Sequence, residues 1–438
     1  MKILLTIIVF VLASCSPEQP TSYLTAAKET AQWIRSTERN GIWPDAEGDS
    51  VAGYDIGGGA AGVTVFFAEL YLRTGETSYL RDACKGADYI LAQIPPALKD
   101  SFPPQSGFYN GFGGVGFVLH QLYKITKEKK YEDGARQCTR LIHDAAKRKD
   151  GRVSWSAFND LLFGDAGTGL YLIHAYSEMN DQASLELAKE IAENLLDSAL
   201  HEPIGLNWKF RKGAPFVLPN FSHGTAGVSY FFLSLYEATK DERYLKTALE
   251  GAAYLQSIAK TDGGIFLVPY GWPNPAWKDL YEIGWAHGAA GTARLFYSLA
   301  VVTGDKKWLE QAHACGEGIL SSGIPGIPAA GFSATTDDMR FGLASVADFF
   351  SYKFMSWRDS SDIYFAKQIA DTILARSVIG NHGRKWIMPA FPFLPKPDLP
   401  KFSTGYFYGG AGYGLMLLHL DAALTKRTPA IRFPDNPF

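Results

Sequence analysis

Gly224-Thr225-Ala226-Gly227 opens an apolar stretch over 228–236, and this small-residue unit recurs along the chain. It returns as Gly59-Ala60-Ala61-Gly62, Gly111-Phe112-Gly113-Gly114, Gly164-Asp165-Ala166-Gly167, Gly288-Ala289-Ala290-Gly291 and Gly409-Gly410-Ala411-Gly412. Gly342-Leu343-Ala344-Ser345 is a degenerate copy. Successive units lie 52, 53, 60, 64, 54 and 67 residues apart. Seven copies at near-regular intervals mark a repeat architecture. Each copy leads into a run that is apolar nearly all round, the pattern of a buried helix. In four copies a tyrosine falls twelve residues after the first glycine: Tyr71, Tyr123, Tyr176 and Tyr236.

Short turns such as Thr74-Gly75-Glu76 and Thr239-Lys240-Asp241 follow, and then amphipathic segments, for instance 79–94 and 244–257. Neither kind of helix buries its faces alone, but side-by-side stacking does so. The amphipathic segment 23–39 precedes the first unit, so it closes a ring beside the seventh buried helix, 409–424. The expected fold is all-α: a closed α/α toroid of seven helical hairpins over 23–430, with a short tail at 431–438. Aromatic-rich loops such as Gly205-Leu206-Asn207-Trp208 lead into the glycine units. Short strands and loops therefore gather on one face, and a ligand site is expected there.

At the other end of the chain, an apolar run over 3–13 follows Met1-Lys2 and ends in Leu12-Ala13-Ser14-Cys15. The run is too short to span a bilayer, which takes ~20 residues, and it has the form of a secretory signal. The last four residues resemble a bacterial lipobox. The expectation is a signal peptide over 1–14, lipidation of Cys15, a tether over 15–22, and a membrane-anchored protein of the cell envelope. A formal charge of −3 with no basic stretch gives no case for nucleic acid. The other cysteines are Cys84, Cys138 and Cys315, with no C-x-x-C pair, so no Cys-based zinc signature is present. Cys138 and Cys315 fill a helix slot that holds Gly86 and Gly251 in other copies, which marks a tight packing position.

The residue before each first glycine should point into the ring. These are Gly58, Asn110, Phe163, His223, His287, Phe341 and Tyr408. Three residues earlier stand Asp55, Gly107, Asp160, Asn220, Gly284, Asp338 and Gly405. Two neighbouring copies thus present histidines, the side chain best suited to proton transfer near neutral pH. The acidic residues have a second reading, because Asp and Asn also cap helix starts and turns.

Glycine units opening the inner helices of such a ring resemble the lanthionine synthetase C-like (LanC-like) family, over essentially the whole mature chain. His223-Gly224-Thr225-Ala226-Gly227 matches the family's His-Gly-x-x-Gly signature, and Asp160 its third-hairpin Asp. The resemblance implies addition of a Cys thiolate to a dehydrated Ser or Thr of a peptide, with these two residues in acid–base roles and a zinc ion activating the thiol. The zinc ligands do not carry over. Ala286 stands at the fifth-hairpin Cys, Arg340 and Phe341 at the sixth-hairpin Cys-His, and Glu282 in place of a family Arg. No metal or other cofactor is therefore expected.

The expected catalytic residues are His223, Asp160 and His287. Asp55, Asp338, Arg340, Tyr408 and Trp285 are expected to bind substrate, a peptide or a small-molecule or glycan ligand. Two alternatives stand beside peptide modification or thiol chemistry. One is a glycosidase or lyase that pairs carboxylates among Asp55, Asp160 and Asp338 in an aromatic cleft with Trp43, Trp208, Trp272, Trp285 and Tyr408. The other is a non-catalytic binding protein at the cell surface.

Overall fold

The computed structural model describes residues 22–333, 335–389 and 400–438. Cys15 and the segment 1–14 lie outside the described residues.

The chain alternates outer and inner helices. Helix α1 (Tyr23–Ser36) comes first, followed by the pairs α2 (Ala60–Thr74) with α3 (Thr77–Ala92) and α4 (Phe112–Thr126) with α5 (Lys129–Asp144). Next are α6 (Asp165–Met179) with α7 (Gln182–Ser198), and α8 (Thr225–Thr239) with α9 (Glu242–Ile258). The last pairs are α10 (Ala289–Thr303) with α11 (Lys306–Leu320) and α12 (Leu343–Trp357) with α13 (Ser360–Ala375), before α14 (Gly410–Leu424). The even-numbered helices touch in sequence, and α14 touches α2, so the inner ring is closed. Helix α1 packs on α14 and completes the seventh hairpin.

Sequence chemistry sets the ends of these helices. The first glycine of every unit is the N-cap residue of its inner helix. The last glycine of the unit lies one turn inside, where the preceding loop presses on the helix. A Cβ at Gly227 would stand 2.0 Å from the carbonyl oxygen of Phe221, and one at Gly291 would stand 2.0 Å from that of Trp285. Six inner helices end on a left-handed residue (Gly75, Lys127, Asn180, Lys240, Gly304 and Arg358) that returns its N–H to a carbonyl of the last turn.

Short antiparallel ribbons lie in three of the loops that run from an outer helix to the next glycine unit. They are β1 (Lys147–Lys149) with β2 (Arg152–Ser154), β3 (Leu200–His201) with β4 (Leu206–Asn207), and β5 (Val378–Gly380) with β6 (Gly383–Lys385). A tryptophan follows each ribbon and anchors it. Trp155, Trp208 and Trp386 donate from Nε1 to the carbonyls of Ile142, Leu195 and Ile373. Trp208 and Trp43 are core residues of the hairpins and line no cleft, contrary to the glycan reading. Cys138 and Cys315 are fully buried packing residues, and burial pushes both thiols up.

Residues 431–438, expected as a tail, run into the ring from the end opposite the glycine units. Glu69 accepts the backbone N–H groups of Ala430 and Ile431 at 2.9 and 2.8 Å. Asp435 is buried at the centre, where its carboxylate accepts from Tyr109 Oη, Trp285 Nε1 and Arg294.

Candidate active site at the glycine-unit face

Backbone hydrogen bonds tie the glycine-unit turns to one another around the mouth. Ser222 N–H donates to the Ala286 carbonyl, Ala286 N–H to Arg340, Met339 N–H to Phe407, Phe407 N–H to Gly57, and Gly57 N–H to Tyr109. This belt fixes which side chains face inward. The residues just before the first glycines form an arc of rings. Phe163, His223, His287, Phe341 and Tyr408 follow one another with centroids 5.4, 5.1, 5.6 and 6.4 Å apart. Tyr270, Trp277, Phe216 and Phe210 add a second row along the rim. Tyr270 packs on His287 and Phe210 on His223.

Each histidine is held by the neighbouring hairpin. Asn220 Nδ2 donates to the Tyr270 carbonyl, which turns its Oδ1 toward His287 Nδ1 at 2.9 Å. A carbonyl oxygen only accepts, so His287 carries its proton on Nδ1 and Nε2 presents a lone pair. Burial, then His223 and Arg340, hold the His287 imidazole well below its ordinary range.

His223 faces a carboxyl group in the equivalent place. Asp160 is fully buried, and desolvation holds its carboxyl well above the carboxylate range. Its Oδ1 accepts the Phe163 N–H at 2.7 Å, and its Oδ2 lies 2.5 Å from His223 Nδ1, so the carboxyl and the ring share one proton between them. Burial and Arg340 hold the His223 imidazole down to about 3, so the ring stays neutral. Among the described residues neither Nε2 has a hydrogen-bond partner. The mouth thus sets two buried imidazoles side by side, each anchored through Nδ1, an arrangement that suits acid–base chemistry on one substrate.

Several expected binding residues have partners within the protein itself. Asp338 is fully buried and caps its turn by accepting the Arg340 and Phe341 N–H groups. Asp55 does the same for Gly58. Trp285 is buried below the mouth, where it packs on Tyr109, Phe221 and Phe407 and donates to Asp435. The three carboxylates are thus committed to turns or to His223, and no pair of them lines a cleft. Arg340 and Tyr408 do belong to the mouth: the guanidinium donates to Tyr408 Oη at 2.7 Å and lies over Phe341.

Glu282, read from the sequence only as a lost Arg, is an additional candidate. Burial, reinforced by Asp338, raises its carboxyl to about 7. Its Oε2 is buried with no hydrogen-bond partner among the described residues. Its position in a family motif was the available signal; its burial was not legible.

The zinc site of the resembled family does not fit here. Ala286 and Arg340 are joined in the belt, so the matched positions bring a methyl group, a guanidinium and a phenyl ring together. None of these offers a lone pair to a metal. Among the described residues no group of three or more His, Cys, Asp or Glu side chains is arranged to hold one.

The model of the lanthionine synthetase C-like protein family matches residues 50–327, well over half of the chain, and stops short of Arg340. No curated protein matches in sequence. Among solved structures, nisin cyclase is similar at 15% identity and a TM-score of 0.62, over 91% of this chain and 98% of that one. D-mannose isomerase is similar at 12% identity and a TM-score of 0.51, over 92% and 97%. The GH76A alpha-1,6-mannanase from Salegentibacter sp. HEL1_6 is similar at 14% identity and a TM-score of 0.47, over 92% and 100%. At these identities the likeness is one of fold.

Proposed function

Because the chain belongs to the lanthionine synthetase C-like family, we propose that its mouth catalyses metal-independent addition of a thiol to a dehydrated residue of a peptide. The observation that carries this reading is the pair of adjacent buried histidines, each held through Nδ1, His287 by Asn220 and His223 by Asp160.

His287 Nε2 takes the thiol proton. The thiolate sulfur forms a bond to the β-carbon of the dehydrated residue as the carbon–carbon double bond opens. The α-carbon receives a proton from His223 Nε2 as the proton shared with Asp160 moves onto Nδ1, which leaves Asp160 as the carboxylate that balances the His287 imidazolium. Proton exchange with solvent then resets both rings, and the product is an isomer of the reactant. The aromatic arc excludes water from the reacting atoms. Leu12-Ala13-Ser14-Cys15 supports a location in the cell envelope. Loss of membrane partition in Cys15→Ala checks that location, and a wild-type protein found wholly in the soluble fraction rejects it.

The test is a peptide with one dehydroalanine and one cysteine, followed by loss of alkylatable thiol. Wild type accelerates the loss over peptide alone, and added chelator leaves the rate unchanged. His287→Gln and His223→Gln each lower the rate by roughly 10²–10⁴-fold. Folded wild type without acceleration, or variants with the full rate, removes the reading.

A further inference from the structure

The proton transfers leave one charged group of the mouth unused. Arg340 is half-buried between aromatic rings, with its guanidinium carbon 4.7 Å from the Phe341 centroid and 5.4 Å from that of Phe407. Among the described residues it makes no ion pair within 4.0 Å. Its Nε is buried with no hydrogen-bond partner, and its one side-chain hydrogen bond is to the neutral Tyr408 hydroxyl. The nearby acids are engaged elsewhere: Asp338 caps its turn through Oδ1 and Asp160 holds His223. A cation withdrawn from water without a partner is costly, and the cost is relieved when an anion meets it.

We infer that the Arg340 guanidinium, with the rings of Phe341 and Phe407 beside it, is a binding subsite for the carboxylate of an acidic substrate. The inference rests on the reading of the mouth as a ligand site and adds the charge of what enters. The planar fork of arginine matches a carboxylate through two parallel hydrogen bonds, which its two terminal nitrogens can supply. The aromatic rings favour a ligand whose carboxylate sits on a flat or apolar body. Glu282 is the internal competitor: it stands where the family has an Arg, and its burial-raised carboxyl near pH 7 weakens its claim on Arg340.

Titration calorimetry of the full chain with benzoate and with its neutral isostere benzamide tests this. Benzoate should bind at least about tenfold more tightly than benzamide. Arg340→Gln should abolish the difference, and Glu282→Gln should strengthen benzoate binding. Arg340→Lys keeps the charge without the fork and should lose several-fold in affinity, which preserves the test if Arg340→Gln does not fold. Equal binding of benzoate and benzamide overturns the inference, as does a benzoate preference that survives in Arg340→Gln. Inorganic phosphate binding more tightly than benzoate overturns the carboxylate assignment. His287→Gln and His223→Gln should retain benzoate binding. Retained binding with no thiol addition by wild type removes the acid–base reading and leaves the carboxylate subsite standing. Thiol addition by wild type without benzoate selectivity does the reverse.

Discussion

Burial and a neighbouring carboxylate act in the same direction on Glu282, and the consequence is a pH-dependent stability. Its folded-state carboxyl is raised to about 7, above the ordinary 4.5. Between those values the folded chain holds a proton that the unfolded chain has released, so this group's contribution falls as pH rises from 4.5 through 7. Glu282→Gln removes that decline, and thermal melts at pH 8 should show the variant more stable than wild type by about 1–3 kcal/mol. An identical pH dependence in both proteins rejects the assignment. The histidines give a second expectation at this scale. His287 must be neutral to accept a proton, and burial holds its imidazole far below the ordinary range. The acid limb of the thiol-addition rate should therefore lie well below pH 6.5, and an inflection at 6.5 would mean a solvated, ordinary imidazole.

At the scale of the element, the inner helices depend on contact between a helix and the loop before it. A Cβ at Gly227 meets the Phe221 carbonyl oxygen at 2.0 Å and Leu161 Cβ at 3.2 Å. The obstacle is backbone of the belt and cannot rotate away. Gly227→Ala should destabilise by about 3 kcal/mol, the upper end for overpacking, as read from the denaturant midpoint. Gly58 is the contrast, since no atom lies within 4 Å of an added Cβ. Gly58→Ala should stay within about 0.5 kcal/mol of wild type. Equal effects at the two positions would mean that close approach does not explain the glycine unit.

Across the whole molecule, the ring is plugged from the end opposite the mouth by the segment that carries Asp435. Its carboxylate and the guanidinium of Arg294 are both buried, 3.1 Å apart, directly below Trp285. Asp435→Ala leaves Arg294 buried and unpaired, and should cost about 3–5 kcal/mol in a chemical melt. The double variant Arg294→Met with Asp435→Ala should recover much of that loss. If the single variant is neutral, the segment does not hold the ring together. The same segment supports the floor of the mouth, because Trp285 and Tyr109 both donate to Asp435.

The repeat of small residues by itself determines the toroid. A glycine every 52 to 67 residues, each opening an apolar run, leaves few ways to bury seven inner helices except a ring. The same register placed Phe163, His223, His287, Phe341 and Tyr408 in one layer, and their rings do form one arc. What the register could not carry is which partner each side chain finds in the next hairpin, about 60 residues away in sequence. Asp160 and Asp338 occupy equivalent positions, yet one faces a histidine and the other only turn N–H groups. Trp285 belongs to the same glycine-unit loop as His287 and points to the floor instead of the funnel. Burial decides protonation, hydrogen-bond partners decide tautomers, and the segment inside the ring decides where the funnel ends. All three are set by residues distant in sequence, so only the tertiary structure could supply them.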